Sequence, residues 1–136
     1  MRPDQLKEVA ALSKTYNSPF MVKMHDKFLS SNRVYLIIDY CANGSLRQKI
    51  RQLQDEQKPF SEAETTFLLT QVIHGLAALH KQHVIHCDLK PDNIVFSKDG
   101  TVRIIDFGTA IIDPTPQTVL SAAFSPFVYL FPIFSD

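Results

Sequence analysis

The longest regular pattern in the chain is an apolar stripe that begins a few residues after Ser61. Ser61 and Glu64 have the three-residue spacing of a capping box, in which each residue's side chain satisfies the other's backbone N–H. Four apolar residues then recur at intervals of four, four and three, which places them on one helix face: Leu68, Val72, Leu76 and Leu79. The pattern predicts a long helix with one apolar face in the middle of the chain.

The residues before this helix predict a shorter helix followed by a pair of strands. Apolar positions in residues 5–12 recur at helical spacing, and residues 17–19, Asn-Ser-Pro, end that helix. Residues 20–28 and 33–40 are rich in β-branched and aromatic side chains, and residues 30–32 separate them as a hairpin loop would. These two segments are therefore predicted to pair as antiparallel strands.

A second helix and a second hairpin complete the predicted order. Residues 42–46 contain a glycine and interrupt the strand pattern, after which an amphipathic helix begins. Residues 93–96 and 101–107 are short β-prone runs, and Asp99 and Gly100 between them suit a turn with positive φ. The order of helix, two strands, two helices, two strands and an apolar tail predicts an α+β fold.

The charge balance and cysteine content exclude several classes of protein. The 136 residues carry 14 basic and 14 acidic side chains, so no electrostatic attraction to nucleic acid is expected. Cys41 and Cys87 lie far apart, and no segment before them resembles a secretory signal. These features predict a single reduced domain in the cytoplasm or nucleus, not a secreted protein.

The last 18 residues form the one strongly apolar stretch, and a membrane anchor is an alternative for it. The stretch contains Pro126 and Pro132. It also falls short of the roughly 20 apolar residues that a spanning helix needs. No membrane span is therefore expected.

Residues 84–96 contain a crowded polar loop, which connects the long helix to the second predicted hairpin. Within it, Asp88 can act as a base, and Lys90 can neutralise charge that develops on a phosphate. Asn93 can offer an amide oxygen to a hard cation such as Mg²⁺. Asp106 follows the apolar run at residues 102–105 and is a plausible second ligand for the same metal.

A zinc site is the alternative interpretation of the same region. His80, His83, His86 and Cys87 are all residue types that bind zinc, and they lie within eight residues. Four ligands so close in sequence would require the helix end to fold around the ion. His80 and His83 are instead predicted to be exposed near the last helical turn, where positive charge suits the helix dipole.

Two motifs in this region resemble those of protein kinases. Residues 86–93, HCDLKPDN, resemble the catalytic loop of that family, and residues 106–108, DFG, resemble its metal-binding triplet. Asp88 and Asp106 lie 18 residues apart, the separation that the family's loop, hairpin and second loop usually need. Lys90 is similar to the lysine of the serine/threonine branch.

The resemblance implies an α+β, kinase-like fold of which this chain holds a truncated part. Residues 1–40 would be the end of the small lobe. Residues 41–109 would hold the hinge, the first large-lobe helices and the catalytic and metal loops. Residues 110–136 would be a degraded activation segment.

The resemblance also implies a nucleotide site. Residues 33–46 are similar to the fifth strand and hinge of a kinase, which would make Ile38 the gatekeeper. The backbone of Asp39 and Cys41 would then face the adenine of ATP, and Val95 would cover it. Glu8 would correspond to the helix glutamate that pairs with the family's strand-three lysine.

By the same resemblance, four buried residues would form the apolar column of an assembled kinase: Leu12, Met24, His86 and Phe107. The implied reaction is transfer of the γ-phosphoryl group of ATP to a serine or threonine hydroxyl of a protein substrate. Asp88 would accept or orient the hydroxyl proton and Lys90 would steady the γ-phosphate. Asn93 and Asp106 would hold Mg²⁺.

Three departures from the family limit this expectation. Cys87 stands where most kinases have an arginine, and it is read either as a redox-sensitive thiol or as a small residue filling that space. The glycine-rich loop and the strand-three lysine have no room in the seven residues before Glu8. Ile133 replaces the glutamate expected after Pro132. The chain is therefore expected to be a kinase fragment that is not fully active alone, or alternatively an inactive relic that serves as a binding module.

Overall fold

The computed structural model describes residues 3–15 and 17–115 of the chain. The predicted order of helix, hairpin, two helices and hairpin is confirmed, with two further short strands. The elements are α1 (Pro3–Thr15), β1 (Met24–Ser30), β2 (Arg33–Ile38), α2 (Leu46–Asp55), α3 (Glu62–Lys81), β3 (Val84–Ile85), β4 (Ile94–Phe96), β5 (Val102–Ile104) and β6 (Ile111–Ile112), with a 3₁₀ turn at Pro91–Asn93.

Helix α3 begins as its sequence predicts. The Ser61 hydroxyl accepts the Glu64 N–H at 3.1 Å, and the Ser61 N–H donates to the Glu64 carboxylate at 2.8 Å. Leu68, Val72 and Leu79 are buried, whereas Leu76 is partly buried. The apolar stripe therefore faces the core for most of the helix length.

Helix α2 has a capping box of its own, which the sequence reading did not identify. The Ser45 hydroxyl accepts the Gln48 N–H at 3.2 Å, and the Ser45 N–H donates to Gln48 Oε1 at 2.8 Å. The signal was present as serine followed three residues later by glutamine. This cap sets the point at which the connection after β2 becomes helical.

The β4–β5 hairpin packs its apolar face on α3. Ile94 pairs with Ile104 and Phe96 with Val102, and the Val102 N–H donates to Gln71 Oε1 of α3 at 3.0 Å. Gly75 lets the helix approach closely, because a Cβ there would lie 3.0 Å from the end of the Ile104 side chain. Hairpin and helix therefore form one buried layer beneath the polar loop.

The turn of this hairpin differs in one detail from the prediction. Gly100 has a φ of +81°, but Asp99 does not have positive φ. Instead, the Asp99 carboxylate accepts hydrogen bonds from the Ser97 hydroxyl and from the Thr101 N–H. The carboxylate stabilises the turn through these bonds, so the left-handed conformation is needed only at the glycine.

The first hairpin begins four residues later than predicted. Residues 20–22 run beside β5, where the Ile104 N–H donates to the Phe20 carbonyl at 2.8 Å and the Val22 N–H donates to the Ile104 carbonyl at 3.1 Å. Met21 and Val22 are buried there. Because these residues are buried against β5, they do not pair in the first hairpin, and β1 starts at Met24.

Two short strands, β3 and β6, had no sequence signal of their own. Val84 pairs with Ile112 and Ile85 with Ile111 in antiparallel register. Two residues are too few to show alternation, so only the tertiary pairing reveals them. The pair brings the chain after the DFG triplet back to the start of the polar loop.

The β1–β2 hairpin exposes much of its apolar surface. Phe28 and Tyr35 stack with ring centroids 5.0 Å apart, yet both are exposed, as are Leu29, Ile37 and Ile38.

Within residues 3–15 and 17–115 no helix is long and apolar enough to cross a membrane. The apolar tail that raised the question of an anchor, like the Pro132–Ile133 step, lies outside the described residues.

Candidate active site

The polar loop brings three of the predicted residues into direct contact. Lys90 Nζ lies 3.0 Å from Asp88 Oδ2. The Asn93 side-chain amide donates to the Asp88 carbonyl at 2.9 Å and to its carboxylate at 3.2 Å. The 3₁₀ turn at Pro91–Asn93 folds the chain back so that these bonds can form. Asp88, Lys90 and Asn93 are thus held as one unit.

The orientation of the Asn93 amide leaves its carbonyl oxygen available. Both hydrogen bonds to Asp88 are made by Nδ2, so Oδ1 must point elsewhere. Oδ1 makes no hydrogen bond to the rest of the chain that the structure describes. Asn93 is buried, and the oxygen therefore offers a fixed position to a cation.

Asp106 lies at the same end of the β4–β5 hairpin as Asn93. Asn93 directly precedes β4, Asp106 follows β5 by two residues, and the Ile105 N–H donates to the Asn93 carbonyl at 3.0 Å. Asp106 is exposed and has a φ of +65°, a strained conformation that costs about 1–3 kcal/mol for a residue other than glycine. Its carboxylate accepts the Gly108 N–H at 3.3 Å. The predicted pair of metal ligands thus shares one edge of the site.

His86 connects the loop to the end of β5. Its Nε2–H donates to the Ile105 carbonyl at 2.8 Å, and its Nδ1 accepts the Asp88 N–H at 3.1 Å. The two partners require the neutral ring with its proton on Nε2. The side chain is buried, and its ring meets Phe107 edge to face with centroids 5.1 Å apart. His86 therefore positions the Asp88 backbone.

The burial of His86 predicts a loss of stability in mild acid. Burial lowers the pKa of His86, although hydrogen bonding to Ile105 and the charge of Asp106 act in the opposite direction. Below about pH 6.5 the unfolded chain binds a proton at this residue that the folded chain resists, so the free energy of unfolding falls as pH decreases. We expect His86→Gln to flatten the pH dependence of that free energy, measured by urea unfolding between about pH 5 and 7.

The matched control for this measurement is His80→Gln, since His80 is exposed on α3. That variant should keep the pH dependence of the unmodified chain. Equal slopes for the unmodified chain and His86→Gln would contradict the assignment to His86.

Glu8 of α1 reaches the DFG triplet. The pKa of Glu8 is raised chiefly by burial and then by the nearby charge of Asp106, while the Phe107 backbone N–H acts to lower it. Among the described residues no lysine, arginine or histidine forms an ion pair with Glu8. The carboxylate is therefore placed at the site, while its pairing with a strand-three lysine stays a prediction.

The apolar column predicted by the resemblance has its members in the core region. Leu12, His86 and Phe107 are buried, and the partly buried Met24 packs against the same core. His86 and Phe107 are in ring contact, as described above.

Neither a reactive thiol at Cys87 nor a zinc site is supported by the structure of the described residues. Burial raises the pKa of the Cys87 thiol, which disfavours the reactive thiolate, and the thiol lies 3.6 Å from the Ile85 carbonyl. Cys87, like Asp106, has a positive φ, in its case +68°. In residues 3–15 and 17–115 no three histidine, cysteine or acidic side chains come together as a metal site would require. Among the described residues His80, His83, His86 and Cys87 therefore do not form such a cluster.

The predicted nucleotide-contacting residues fall at two places around the connection between β2 and α2. Asp39 and Cys41 line a cleft of about 580 Å³, whose other walls are Tyr40, residues 97–99 and Arg103. We call it the hinge cleft. Ile38, at the end of β2, and Val95, buried in β4, are not part of its lining.

The side chain of Asp39 fastens this connection to β1. Its carboxylate lies 2.6 Å from His25 Nε2 and accepts the Lys23 N–H at 3.0 Å. Burial acts to raise the pKa of Asp39, but the hydrogen bonds from Lys23 and His25 outweigh it and hold that pKa below its ordinary value. The side chain is engaged within the hairpin and the Asp39 N–H donates to the Lys23 carbonyl at 3.0 Å, which leaves the Asp39 backbone carbonyl to contact a ligand.

Arg103 is a residue of the hinge cleft that the sequence reading missed. It pairs with Val95 across the β4–β5 ladder, so both side chains point to the same face. Counting outward from a two-residue turn at Asp99 and Gly100 would have placed Arg103 opposite Phe96, one residue away from its observed partner Val95. Only the observed register therefore shows which face of the hairpin Arg103 occupies.

Comparison with known proteins identifies a family for a chain with this loop, hairpin and DFG triplet. The family model described as the protein kinase domain matches residues 2–129. The chain belongs to the protein kinase family. The predicted family and its α+β, kinase-like fold are confirmed.

Its relatives include kinases that act on serine and threonine by name. The chain is 34% identical over 117 residues to a calcium and calcium/calmodulin-dependent serine/threonine-protein kinase of Lilium longiflorum, over 84% of this chain and 22% of the relative. It is 35% identical over 95 residues to an Aurora kinase of Schizosaccharomyces pombe, over 70% of this chain and 26% of the relative. It is 29% identical over 114 residues to serine/threonine-protein kinase 17A of Oryctolagus cuniculus, over 82% of this chain and 28% of the relative. The chain thus spans 22–28% of the length of these curated relatives.

Proposed function

We propose that this kinase-family chain carries the phosphoryl-transfer loop of a serine/threonine protein kinase. The reaction is transfer of the γ-phosphoryl group of ATP to a serine or threonine hydroxyl of a protein substrate. The observation that carries the proposal is the contact of Asp88 with both Lys90 and Asn93, at the end of the β4–β5 hairpin where Asp106 also lies.

Asp88 is the residue that would receive or orient the hydroxyl proton. Its carboxylate is only partly exposed, and it is held by Lys90 Nζ at 3.0 Å and by the Asn93 side-chain amide at 3.2 Å. Its backbone N–H is held by His86. A carboxylate fixed from both sides loses little orientational freedom when a substrate hydroxyl arrives.

The negative charge of the phosphate would be neutralised by Lys90 and by a cation held between Asn93 and Asp106. Lys90 is close enough to Asp88 to place its ammonium group beside a phosphoryl group in transfer. Asn93 Oδ1 and the exposed Asp106 carboxylate are hard oxygen donors at one edge of the site, which fits Mg²⁺. When bound there, the ion would supply further neutralisation of phosphate charge.

A second candidate function is that of a non-catalytic binding module. Two observations favour it: Glu8 forms no ion pair among the described residues, and the β1–β2 hairpin exposes several apolar side chains. Such a hairpin could contact a partner protein while the loop does no chemistry. The protein substrate, the place in the cytoplasm or nucleus and the absence of nucleic-acid binding stay predictions.

Nucleotide binding separates the two functions. We expect ATP with Mg²⁺ to raise the thermal midpoint of the chain, because a ligand that binds only the folded state stabilises it, by about 2.7 kcal/mol at 100 times its dissociation constant. Chelation of the metal with EDTA should remove most of the increase. Asp106→Ala should remove the Mg²⁺-dependent part, since the exposed carboxylate is a proposed ligand.

Asp113→Ala is the control for charge, because Asp113 is exposed beyond β6 and pairs only with Lys14 at 3.6 Å in the described chain. It should respond to ATP and Mg²⁺ like the unmodified chain. A Mg²⁺-dependent increase that persists in Asp106→Ala would refute the metal assignment, and no response of the unmodified chain would favour the binding module.

A further inference from the structure

The hinge cleft contains hydrogen-bond donors that the described chain does not use. Tyr40 is 89% exposed at its mouth, and Lys98 and Arg103 contribute positive charge to its walls. Across residues 3–15 and 17–115 none of these three side chains makes a hydrogen bond or ion pair to the protein. These side chains could therefore donate hydrogen bonds to a ligand in the cleft.

Arg103 is the most unusual of the three. Its Nη1 is buried and has no hydrogen-bond partner in the structure. A buried N–H without an acceptor is unfavourable, and native proteins seldom leave one unsatisfied. A small rotation of the guanidinium toward the open cleft would let it meet an acceptor on a ligand. An acceptor on a ligand would thus satisfy an N–H that the described chain leaves unpaired.

The acidic residues of the cleft are already engaged. The Asp39 carboxylate accepts from Lys23 and lies 2.6 Å from His25 Nε2. The Asp99 carboxylate accepts the Ser97 hydroxyl and the Thr101 N–H. Arg103 is close enough for its charge to act on both carboxylates, yet it forms an ion pair with neither. Both carboxylates of the cleft are therefore hydrogen-bonded within the described chain, whereas the Lys98 and Arg103 side chains have no acceptor there.

We propose that the hinge cleft binds a small oxyanion, a phosphate or a carboxylate, through Arg103 and Lys98. The planar guanidinium matches the paired oxygens of such a group, and the ammonium of Lys98 adds a point charge on the turn side. The site differs from the catalytic loop: residues 97–99 form the closed end of the β4–β5 hairpin, whereas Asn93 and Asp106 lie at its open end. Anion binding at the hinge cleft therefore does not depend on phosphoryl transfer at the catalytic loop.

Anion-dependent stabilisation of the 136-residue chain tests the proposal. The thermal midpoint is measured in inorganic phosphate, acetate and chloride at equal ionic strength, so that screening is the same in each. We expect phosphate or acetate to raise the midpoint above that in chloride, and the comparison shows which oxyanion is preferred. Arg103→Gln should raise the apparent dissociation constant at least about tenfold, since charge-assisted bidentate bonds are lost.

Two further variants keep the test decisive. Lys98→Gln, on an exposed turn, should also weaken the response without disturbing the core. Lys27→Gln removes the same charge from exposed β1 and should leave the response unchanged. Each shift is taken from the variant's own midpoint in chloride, so a less stable variant is still informative. Equal midpoints in all three salts, or equal oxyanion responses in the unmodified chain and both cleft variants, would overturn the proposal.

Discussion

Asp88→Asn is expected to lower phosphoryl transfer by a factor on the order of 10²–10⁴, the usual contribution of a positioned acid or base. Asparagine keeps the shape of aspartate but cannot accept the hydroxyl proton, and it loses the ion pair with Lys90. Nucleotide affinity should change little, because Asp88 is not among the residues proposed to hold Mg²⁺. The measurement is transfer of labelled γ-phosphate to a serine- and threonine-containing protein, alongside ATP binding by thermal shift.

Asp92→Asn is the matched control in the same loop. Asp92 is exposed and pairs with Arg47 at 3.2 Å. Its replacement should leave transfer within about twofold of the unmodified chain, as expected for an exposed ion pair. Equal losses in the two variants would show that the loop is sensitive to any lost charge, and full activity of Asp88→Asn would remove Asp88 from the mechanism.

Phe107→Ala is expected to reduce the free energy of unfolding by about 3–5 kcal/mol, the range for truncating a buried phenylalanine. The Phe107 side chain is 0% exposed and meets His86 edge to face. Its loss opens a cavity beside the histidine that holds the Asp88 N–H. Since whole domains are stable by only about 5–15 kcal/mol, this variant should be largely unfolded under mild denaturing conditions.

The control is Phe67→Ala on α3. Phe67 is 67% exposed, so the same truncation removes little buried surface. Urea unfolding should show a change within about 0.5 kcal/mol for this variant, as for most surface substitutions. If both variants lost similar stability, the core assignment of Phe107 would be wrong.

The elements with a long pattern in the sequence were predictable. Helix α3 carries a capping box and a recurring apolar face, and both signals depend on residues three or four apart that meet within one helix. The β4–β5 hairpin was predictable for a similar reason, because its turn lies between two short β-prone runs. Local spacing is enough when the partners are local.

The candidate site was predictable because its residues are carried by two short motifs. Asp88, Lys90 and Asn93 lie within six residues, and the structure places them in contact. The approach of Asp106 to the same edge follows once the hairpin between them is recognised. The roles of Ile38 and Val95 in nucleotide binding remain predictions, since neither lines the hinge cleft.

The remaining features depend on partners distant in sequence. Residues 20–22 have the composition of a strand and become one only in part, because Met21 and Val22 are buried against β5 some 80 residues later. The β3–β6 pair joins two-residue segments that have no periodicity to detect. The approach of Glu8 to the Phe107 N–H likewise joins α1 to a loop about 100 residues away.

The helices, the two hairpins, the family and the set of polar residues in the loop could all be predicted from the amino-acid order. Which hydrogen-bonding groups have partners and which do not became visible only in the folded chain. The folded structure showed that Asn93 turns its amide nitrogen to Asp88 and leaves its oxygen available, and that the buried Nη1 of Arg103 has no acceptor. The physical reason is that composition shows which donors and acceptors a chain has, whereas their pairing depends on distances that only packing sets.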